Sequence, residues 1–582
     1  MKPKKSKPKN KRVVNKKPNT MTEVMESGII RWRYMTVLGF AFLLLAALVA
    51  RVAYIQIIEP DTLIKQSDMR SVRVHNVPSA RGIVSDRNGE QIAVSVPVQA
   101  VYADPKTIFE KGDALTDVKR WQALAQVLQL EPEEMISRIE RNKTRRFIYL
   151  ARQVSPAMAK YIKELKLKGI GMSSESRRYY PAGEISAHIV GITGIDGHGQ
   201  EGIEKSFDKW LSGSDGSRKI RKDRDGRVVE NISSTQGQQG KPLQLTIDQR
   251  IQAIAYRAIK QAVADHRATS GTVVVLDVET GGVLAMVNAP SYNPNSREQL
   301  QSFRMRNRAI TDPLEPGSTV KPFVVLTALE TGTADEETII DTGNGIFRIG
   351  GSRVRDTSLV GKADLKTILK KSSNVGVAKL ALGMPLDALL GTYSSIGFGS
   401  TSGINLVGET PGLFPNRRRW SDFEIATLAF GYGMAITPLQ LAHAYATLGN
   451  YGKFMPLHIV KSQKGLEAKQ VLSKHNSAEV LEMLEAVTQP GGSAIRARVP
   501  GYRVGAKTGT SRKANAGGYS DEYVSLTAGL APISHPRIAM VVVVNEPQGD
   551  EYYGGAVAAP VFGEVMKGAL QILNVTPDAP KE

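Results

Sequence analysis

The chain has 582 residues, a formal net charge of +20 and no cysteine. At roughly 150 residues per domain, this length predicts more than two domains. The lack of cysteine excludes disulfides, thiolate nucleophiles and cysteine-based zinc sites. The chain holds eight histidines but no His-Glu-x-x-His motif, so the sequence disfavours a metallohydrolase.

The N-terminal region predicts a membrane anchor. Residues 1–33 hold eleven basic and two acidic residues, and residues 35–50 then carry no charge. The apolar run continues to 58 with Arg51 as its one charge. A helix needs about 20 residues to cross the hydrocarbon core, so this run is long enough. We therefore predict a basic cytoplasmic tail at 1–34 and a transmembrane anchor at 35–58.

The flanking charges predict the orientation and the fate of this anchor. Basic residues favour the cytoplasmic side, so the tail is expected inside the cytoplasmic (inner) membrane and the residues beyond 59 outside it. The basic region is too long for a cleaved signal peptide, and the possible cleavage sites lack a small-x-small pattern. The tail then serves orientation and attraction to anionic lipid, and we expect no nucleic-acid partner. A buried core helix is the alternative.

Residues 59–240 mix strand and helix patterns and are predicted to form one α/β domain without a catalytic motif. Residues 92–103 alternate in polarity as strands do, and Asn88-Gly89 is typical of a hairpin turn. Ser155-Pro156 is a typical helix start. The remaining predicted elements are helices near 117–128 and 132–141 and a linker at 236–240.

Residues 241–575 are predicted to form a second domain, followed by a C-terminal tail at 576–582. Strand patterns lie at both ends and helices between them, which predicts an α+β domain with one mixed sheet flanked by helices. Asp248 is placed to cap the first helix. The strands are predicted at 273–276, 283–287, 502–507, 524–530 and 538–544, and the last helix at 557–573.

The first candidate motif is the run 315–321, EPGSTVK. Its Pro and Gly end a loop, and an apolar run predicts a helix that begins near Ser318. Residues three apart share a helix face, so the Ser318 hydroxyl and the Lys321 amine are expected to meet. A neutral lysine can take the serine proton if desolvation, a second cation or a helix N-terminus lowers its pKa.

Two further motifs follow in the chain. Ser372-Ser373-Asn374 precedes an apolar stretch, and its groups are suited to relay a proton and to hold a lysine and a substrate carbonyl. The run 507–510, KTGT, is predicted at the end of a strand. A cation and hydroxyls there can bind a carboxylate, and Gly509 lets a substrate backbone approach the strand edge.

Each motif alone is weak evidence for a site. Ser-x-x-Lys also occurs at 6–9, in the basic tail, and at 206–209, where an amphipathic helix is the better interpretation. Short Ser-x-Asn and Lys-Thr-Gly runs are usually caps or turns. All three motifs in this order, each at the boundary of an element, predict one active site built around a nucleophilic serine.

This order of motifs resembles that of penicillin-binding proteins and serine β-lactamases. Four further runs resemble class B penicillin-binding proteins, and most closely the division-specific FtsI, or penicillin-binding protein 3, family. These runs are 81–89 (RGIVSDRNG), 178–181 (RYYP), 202–205 (GIEK) and 430–433 (FGYG). The resemblance covers the chain from the anchor to about 575. It implies a pedestal (dimerisation-type) domain at 59–240 and a transpeptidase domain, with an antiparallel sheet flanked by helices, at 241–575.

The resemblance implies roles for the catalytic candidates. Ser318 attacks the penultimate D-Ala carbonyl of a stem pentapeptide, and Lys321 is the general base. Ser372 passes a proton to the leaving amine, with Asn374 orienting groups. Lys507 supports the electrostatics of this network. The resemblance implies no metal and no organic cofactor.

The resemblance also implies a substrate-binding set. Thr508 and Thr510, beside Gly509, receive the terminal carboxylate of the stem peptide. Two further candidates for the pocket wall are Tyr432 and Tyr519, the latter in a predicted polar loop at 511–522.

Peptidoglycan stem peptides are the implied substrates, and β-lactams the implied covalent inhibitors. At the division septum, the implied partners are a polytopic glycosyltransferase and other division proteins. An elongation-specific transpeptidase shares every catalytic motif and stays an alternative. A serine β-lactamase is disfavoured because no Glu-x-x-Leu-Asn run for deacylation is present. The short tail disfavours a penicillin sensor, and residues 59–240 lack the acidic signature of a glycosyltransferase domain.

Overall fold

A computed structural model describes residues 28–58, 60–77, 79–110, 115–223, 228–296, 298, 300–461, 466–515 and 518–580. Most of the predicted basic tail and the end of the predicted C-terminal tail lie outside the described residues. Contacts divide the chain into two compact units, Met1–His75 with Arg218–Ser234 and Asn76–Ser217 with Thr235–Glu582.

The helices lie along the whole described chain, and short 3-10 turns at Gly183–Ile185, Gly317–Val320 and Ile495–Ala497 lie between them. The helices are α1 Gly28–Ala53, α2 Pro60–Ser71, α3 Pro105–Glu110, α4 Val118–Leu128, α5 Pro132–Glu140, α6 Pro156–Glu164, α7 Ala187–Val190, α8 Gly202–Ser206, α9 Asp208–Leu211, α10 Gln249–Asp265, α11 Ser302–Met305, α12 Arg308–Thr311, α13 Lys321–Glu330, α14 Leu365–Lys371, α15 Asn374–Gly383, α16 Leu386–Ser395, α17 Asp422–Leu428, α18 Pro438–Gly449, α19 Lys474–Thr488 and α20 Gly554–Ile572.

The strands form several sheets of different size. They are β1 Val72–Val77, β2 Val84–Ser85, β3 Gln91–Ala103, β4 Ile148–Val154, β5 Ile170–Tyr179, β6 Gly216–Lys222, β7 Val228–Thr235, β8 Leu243–Gln244, β9 Ser270–Asp277, β10 Val283–Ala289, β11 Ile339–Asp341, β12 Ile346–Ile349, β13 Ser352–Arg355, β14 Lys362–Asp364, β15 Lys453–Phe454, β16 Lys469–Gln470, β17 Gly505–Asn515, β18 Gly518–Ala531 and β19 Ile538–Asn545.

The first unit contains the predicted anchor and a small sheet. Helix α1 continues through a π-helical turn, Tyr54–Ile58, into α2. The segment Trp32–Ile57 is long and apolar enough to cross a membrane, and its side chains are not buried. Strands β1, β6 and β7 form a three-stranded sheet in this order. The prediction of an N-terminal apolar helix is confirmed.

The second unit begins with the predicted α/β region. Strands β4, β3, β2 and β8 form one sheet in this order, and β5 also pairs with β3. The predicted hairpin turn at Asn88-Gly89 is confirmed: Gly89 has φ 91°, and the Asp86 carboxylate accepts hydrogen bonds from the backbone N–H groups of Asn88 and Glu90. Ser155 caps α6 as predicted, since its hydroxyl accepts a hydrogen bond from Met158 N.

A five-stranded antiparallel sheet, in the order β10-β9-β19-β18-β17, organises the rest of the unit. Successive side chains of β18 point to opposite faces of the sheet. The Thr527 hydroxyl points to the start of α20, where it donates to Gly554 O, whereas Leu530 packs against Gly449 at the end of α18. The sheet is thus covered by helices on both faces, and the predicted α+β class is confirmed.

Two predicted boundaries near the third motif are wrong. The strand expected at 502–507 starts at Gly505 and continues to Asn515, and the polar loop expected at 511–522 is largely strand. Arg512 pairs with Tyr523 across β17 and β18, so cross-strand hydrogen bonds satisfy the backbone there. The side chains are polar because this end of the hairpin is largely exposed.

Candidate active site

The helix predicted to begin near Ser318 is present, and the turn that carries this residue is a 3-10 turn. It spans Gly317–Val320, and α13 begins at Lys321. Gly317 has φ 53°, in the left-handed region that favours glycine. The Ser318 side chain is half-buried, and its hydroxyl makes no hydrogen bond within the described part of the chain. The turn therefore fixes the backbone of Ser318, whereas its hydroxyl has no hydrogen-bond partner among the described residues.

Two glycines allow other segments to pack directly on this turn. A Cβ on Gly509 would lie 3.0 Å from Pro316 O, so the absent side chain brings β17 against the turn. A Cβ on Gly431 would lie 2.2 Å from Gly317 O, and Gly317 N donates to Gly431 O at 3.2 Å. On this face of β17, the segment that Gly509 allows to approach closely is therefore the chain's own backbone at Pro316.

Lys321 is fully buried and points to the second motif. Its Nζ atom lies 2.6 Å from Ser372 O, 2.7 Å from Asn374 Oδ1 and 3.2 Å from Ser372 Oγ. The hydrogen bond expected between Ser318 and Lys321 is not formed, because these acceptors hold the amine. Burial lowers the pKa of Lys321 well below its usual value, and the nearby Lys507 lowers it further, while Asp356 opposes both effects.

The second motif joins α14 to α15, and its backbone geometry gives its two serines different positions. Ser372 ends α14 with φ 58°, a left-handed conformation that is uncommon outside glycine and asparagine. The Ser373 hydroxyl then caps α15 by accepting a hydrogen bond from Gly376 N. The first serine therefore faces the site, while the second is a structural cap and is 1% exposed.

Asp356 holds this motif in place, although it is distant in sequence. Its carboxylate accepts hydrogen bonds from the Ser373 hydroxyl at 2.7 Å, from Asn374 N at 2.5 Å and from Val375 N at 2.9 Å. A carboxylate at the first turn of a helix is also favoured by the helix dipole. The sequence offered no local motif for this residue, since it lies in a loop after β13.

Lys507 completes a buried pair of lysines. Its Nζ atom donates to Ser372 Oγ at 2.9 Å and to Thr508 O at 3.1 Å. Burial lowers the pKa of Lys507 to about 7. The Ser372 hydroxyl therefore lies between two amines, those of Lys321 and Lys507, and both lose charge readily.

The threonines of the third motif face away from Lys507, because side chains alternate along β17. The Thr508 hydroxyl donates to Ser493 Oγ at 2.9 Å. The Thr510 hydroxyl accepts a hydrogen bond of 3.0 Å from Gly554 N, the first residue of α20. These hydroxyls thus lie next to the positive end of a 19-residue helix. No local sequence pattern marks Ser493 as the partner of Thr508, because the two residues are 15 positions apart.

The two tyrosine candidates lie together beside Glu315. The rings of Tyr432 and Tyr519 are 5.6 Å apart and nearly perpendicular. The Glu315 carboxylate accepts hydrogen bonds from Gly433 N at 2.9 Å and from the Tyr519 hydroxyl at 3.2 Å. Burial raises the pKa of Glu315, and burial beside this carboxylate raises that of Tyr519 to about 12. Glu315 is the first residue of the first motif, but only the structure shows that its carboxylate acts as a clamp, because it links Gly433 and Tyr519.

Possible metal ligands lie elsewhere in the described chain. Glu336, His475 and Glu479 place one ligand atom each within 4.8 Å of one another. None of these three residues belongs to a motif of the candidate site.

Family models match most of the chain. The penicillin binding protein transpeptidase domain matches residues 271–567, and the penicillin-binding protein dimerisation domain matches residues 76–245. A solved structure of the TP domain from Burkholderia pseudomallei penicillin-binding protein 3 is 37% identical and covers 58% of this chain and 98% of its own, with a TM-score of 0.54. A peptidoglycan synthetase from Bifidobacterium adolescentis, 24% identical, shares the fold over 88% of this chain and 98% of its own, with a TM-score of 0.68.

Curated relatives cover nearly the full length. The chain is 50% identical to the peptidoglycan D,D-transpeptidase FtsI of Escherichia coli K12 over 97% of this chain and 95% of that protein. It is 39% identical to the probable peptidoglycan D,D-transpeptidase PenA of Neisseria gonorrhoeae over 92% of both chains. The chain therefore belongs to the penicillin-binding protein family of peptidoglycan D,D-transpeptidases, in the group that includes FtsI.

Proposed function

We propose that this protein is a peptidoglycan D,D-transpeptidase that cross-links stem peptides through an acyl-enzyme on Ser318. One observation carries this proposal: the hydroxyl of Ser372 lies between two buried lysine amines, and the free hydroxyl of Ser318 stands on the turn directly before one of them. Burial lowers the pKa of both amines, that of Lys507 to about 7, which favours the neutral form that can accept a proton.

Lys321 is the proposed general base for acylation. A neutral amine has two N–H donors and one lone pair. Ser372 O and Asn374 Oδ1 take the two donors at 2.6 and 2.7 Å. The lone pair, which the Ser372 hydroxyl approaches at 3.2 Å, must turn to Ser318 to accept its proton as the oxygen attacks the penultimate D-Ala carbonyl. The amine therefore exchanges its contact with the Ser372 hydroxyl for one with the Ser318 hydroxyl when it acts as a base.

Ser372 is the proposed relay to the leaving amine. Its hydroxyl contacts Lys321 at 3.2 Å and Lys507 at 2.9 Å, so a proton taken from Ser318 can pass through it. D-Ala leaves with this proton, and an ester joins Ser318 to the remaining peptide. Asn374 holds the base by its side-chain oxygen, and its Nδ2 donates to Arg355 O at 2.8 Å.

The third motif is the proposed carboxylate site. The stem peptide ends in a carboxylate, and the hydroxyls of Thr508 and Thr510 lie by the N-terminus of α20, where the helix dipole favours an anion. The backbone N–H groups of Ser318 and Thr510 are the proposed oxyanion hole, since Gly509 brings their segments together. Tyr432 and Tyr519 are the proposed pocket wall.

An amine of a neighbouring stem peptide resolves the ester and forms the cross-link. A β-lactam would acylate Ser318 in the same way and remain bound. None of these steps uses a metal or an organic cofactor.

We place this activity at the division septum, on the outer side of the cytoplasmic membrane. A single transmembrane anchor would hold the protein there, with its N-terminus in the cytoplasm. The similarity to FtsI supports the division role, and the apolar segment Trp32–Ile57 supports the anchor. The proposed domains remain a pedestal at 59–240 and a transpeptidase domain at 241–575, with a polytopic septal glycosyltransferase and other division proteins as partners.

Labelling with a fluorescent penicillin tests the nucleophile. We expect covalent labelling of the wild type and its complete loss in Ser318→Ala. Ser206→Ala is the matched control, because Ser206 belongs to a second Ser-x-x-Lys run and should label normally. Labelling that persists in Ser318→Ala removes this residue from the role.

Two further measurements separate this function from a β-lactamase and from an elongation-specific transpeptidase. Release of the label within seconds indicates a β-lactamase, whereas a stable adduct supports a transpeptidase. Depletion of the protein from cells should give filaments if it acts in division. Round cells would instead indicate the elongation-specific enzyme.

A further inference from the structure

The hairpin of β12 and β13 has two chemically different faces, because successive side chains of a strand point to opposite faces of a sheet. On the inner face, Phe347, Ile349 and Val354 pack in a cluster with apolar residues of α15 and α17. The side chains of the outer face are exposed, and they are Ile346, Arg348, Arg353 and Arg355. The outer face thus presents three arginines to solvent.

The pairing register brings these arginines together. Arg348 lies directly opposite Arg353, and Arg355 follows on the same strand, opposite Ile346. Directly opposite side chains have Cβ atoms about 5 Å apart, and next neighbours on one face of a strand are about 7 Å apart. Like charges at directly opposite positions destabilise a pair of strands. The outer face therefore concentrates positive charge that does not serve the stability of the hairpin.

No acidic group of the described chain pairs with this charge. None of the three guanidinium groups forms an ion pair or a hydrogen bond with a residue that the structure describes. Among the carboxylates nearby in sequence, Asp356 holds the second motif and Asp364 caps α14. Asp341 accepts a hydrogen bond from Gly343 N. Residues 341–379 hold eight basic and three acidic side chains, so positive charge is in excess around the hairpin.

The outer face borders the candidate site at Arg355. The backbone oxygen of Arg355 accepts a hydrogen bond of 2.8 Å from Asn374 Nδ2, while Asn374 Oδ1 accepts one of 2.7 Å from Lys321. The arginines therefore extend outward from the border of the site, next to the second motif. Since the third motif on β17 is assigned to the donor carboxylate, this part of the border has no other assigned role.

We propose, on the basis of the transpeptidase function proposed above, that this outer face binds the carboxylates of the acceptor stem peptide. The acceptor is the neighbouring peptide whose amine resolves the Ser318 ester. Charge complementarity supports this occupant, because a stem peptide ends in a carboxylate and a guanidinium can donate two parallel hydrogen bonds to a carboxylate.

The charge of the outer face also suits the reaction. The neutral amine attacks the ester carbonyl carbon, a C–N bond forms, the C–O bond to Ser318 breaks, and the amine proton passes to the Ser318 oxygen. A positive potential disfavours the protonated amine, so it lowers the pKa of the acceptor amine and favours its nucleophilic form. The same arginines thus bind the acceptor and keep its amine reactive.

Aminolysis by the full-length protein in detergent tests this assignment. A synthetic thioester acylates Ser318, and the acceptor is a synthetic stem peptide with a free side-chain amine. A second acceptor has the same amine but amidated carboxylates. In the double variant Arg348→Gln with Arg353→Gln, we expect the KM for the first acceptor to rise about 5-fold, since each exposed charge pair contributes modestly. The KM for the amidated acceptor should be unchanged. Arg355 is kept, because its backbone contacts Asn374.

Arg257→Gln is the matched control. Arg257 is exposed on α10, and its guanidinium also has no partner among the residues described, so its replacement should leave both KM values unchanged. Tm of the double variant should equal or exceed that of the wild type, since a repulsive pair is removed. An equal rise in KM for both acceptors, or no rise at all, overturns the proposal. The second result is also the one expected if the outer face binds a protein partner or a membrane instead.

Labelling with a fluorescent penicillin separates this proposal from the function on which it rests. Acylation of Ser318 does not involve the acceptor, so the double variant should label at the wild-type rate. Normal labelling with an unchanged acceptor KM overturns the acceptor site alone. A wild type that does not label at Ser318 overturns the proposed function, and the acceptor site with it.

Discussion

The Ser372 hydroxyl oxygen lies 2.9 Å from the Nζ atom of Lys507. The same oxygen lies 3.2 Å from the amine of Lys321. One hydroxyl has a single proton and two lone pairs. If both lysines were charged, two buried ammonium groups would face each other across it, which burial strongly disfavours. At least one amine is therefore expected to be neutral at pH 7, and this is the state that proton abstraction requires.

Lys321→Arg tests whether the lysine acts as a base or only as a positive charge. Arginine keeps the charge but does not deprotonate in proteins. We expect acylation by penicillin to fall by about 10²–10⁴-fold, the usual contribution of a general base. The rate constant is measured by rapid mixing with a fluorescent penicillin. Activity within a few-fold of wild type would assign Lys321 an electrostatic role instead.

The two neighbouring serines of the second motif should respond differently to alanine. Ser372→Ala removes the hydroxyl between the lysines, so we expect slower acylation with little change in Tm. Ser373→Ala removes a helix cap, which typically costs about 1 kcal/mol of stability. It also removes one of the three hydrogen bonds that the Asp356 carboxylate accepts, so we expect a clear fall in Tm. Equal effects of both changes on acylation would contradict the relay.

Asp356→Asn tests the positioning of that motif. Asparagine has nearly the same shape, but the charged acceptor for the Ser373 hydroxyl and two N–H groups is lost. Hydrogen bonds to charged groups contribute about 1.5–3 kcal/mol each, so we expect a lower Tm. Acylation should slow and its pH profile should shift to lower pH, because loss of the Asp356 charge lowers the pKa of Lys321 further.

The matched control is Asp341→Asn. Asp341 is exposed and accepts a hydrogen bond from Gly343 N, away from the motif. It should leave the acylation rate unchanged. A wild-type rate in Asp356→Asn, with Tm lowered, would make Asp356 structural only.

Local sequence patterns predicted the parts of the fold that local energetics determine. The caps Ser155 and Asp248 and the Asn88-Gly89 turn follow from hydrogen bonds within a few residues, and all three are confirmed. The apolar helix at the N-terminus follows from composition alone. Such features need no knowledge of the tertiary structure.

Long-range contacts explain the errors. Residues 511–515 are polar and were predicted as loop, yet β18 supplies the hydrogen-bond partners that make them strand. Asp356 was missed because its partners lie 17–19 residues further along the chain. Ser493 meets Thr508 across a separation of 15 residues. No window of sequence contains these pairs as a pattern.

Tyr519→Phe tests the clamp at Glu315. The change removes a hydrogen bond of 3.2 Å but keeps the ring against Tyr432. That hydrogen bond lowers the pKa of Glu315, so its loss should raise this pKa further. A net hydrogen bond contributes about 0.5–1.5 kcal/mol, which sets an expected loss of about 2–10-fold in acylation. Tyr519→Ala, which also removes the ring, should lose more.

Lys507→Met tests the cost of burying this amine. The folded pKa is about 7, and an unfolded lysine titrates near 10.4. Between these values the unfolded chain binds a proton that the native state lacks, so native stability falls as the pH decreases from about 10 to 7. Lys507→Met has no amine at this position, so its stability does not fall in this way as the pH decreases. Its stability relative to wild type should therefore be greater at pH 7.5 than at pH 9.5, by at most about 1.4 kcal/mol per pH unit.

Urea unfolding of both proteins at the two pH values measures this difference. Lys453→Met is the control, because Lys453 is exposed and its replacement should act equally at both pH values. A Lys507→Met effect that is the same at pH 7.5 and 9.5 would show that the amine keeps its proton throughout. Lys507 would then act as a permanent cation beside Ser372, and proton transfer would depend on Lys321 alone.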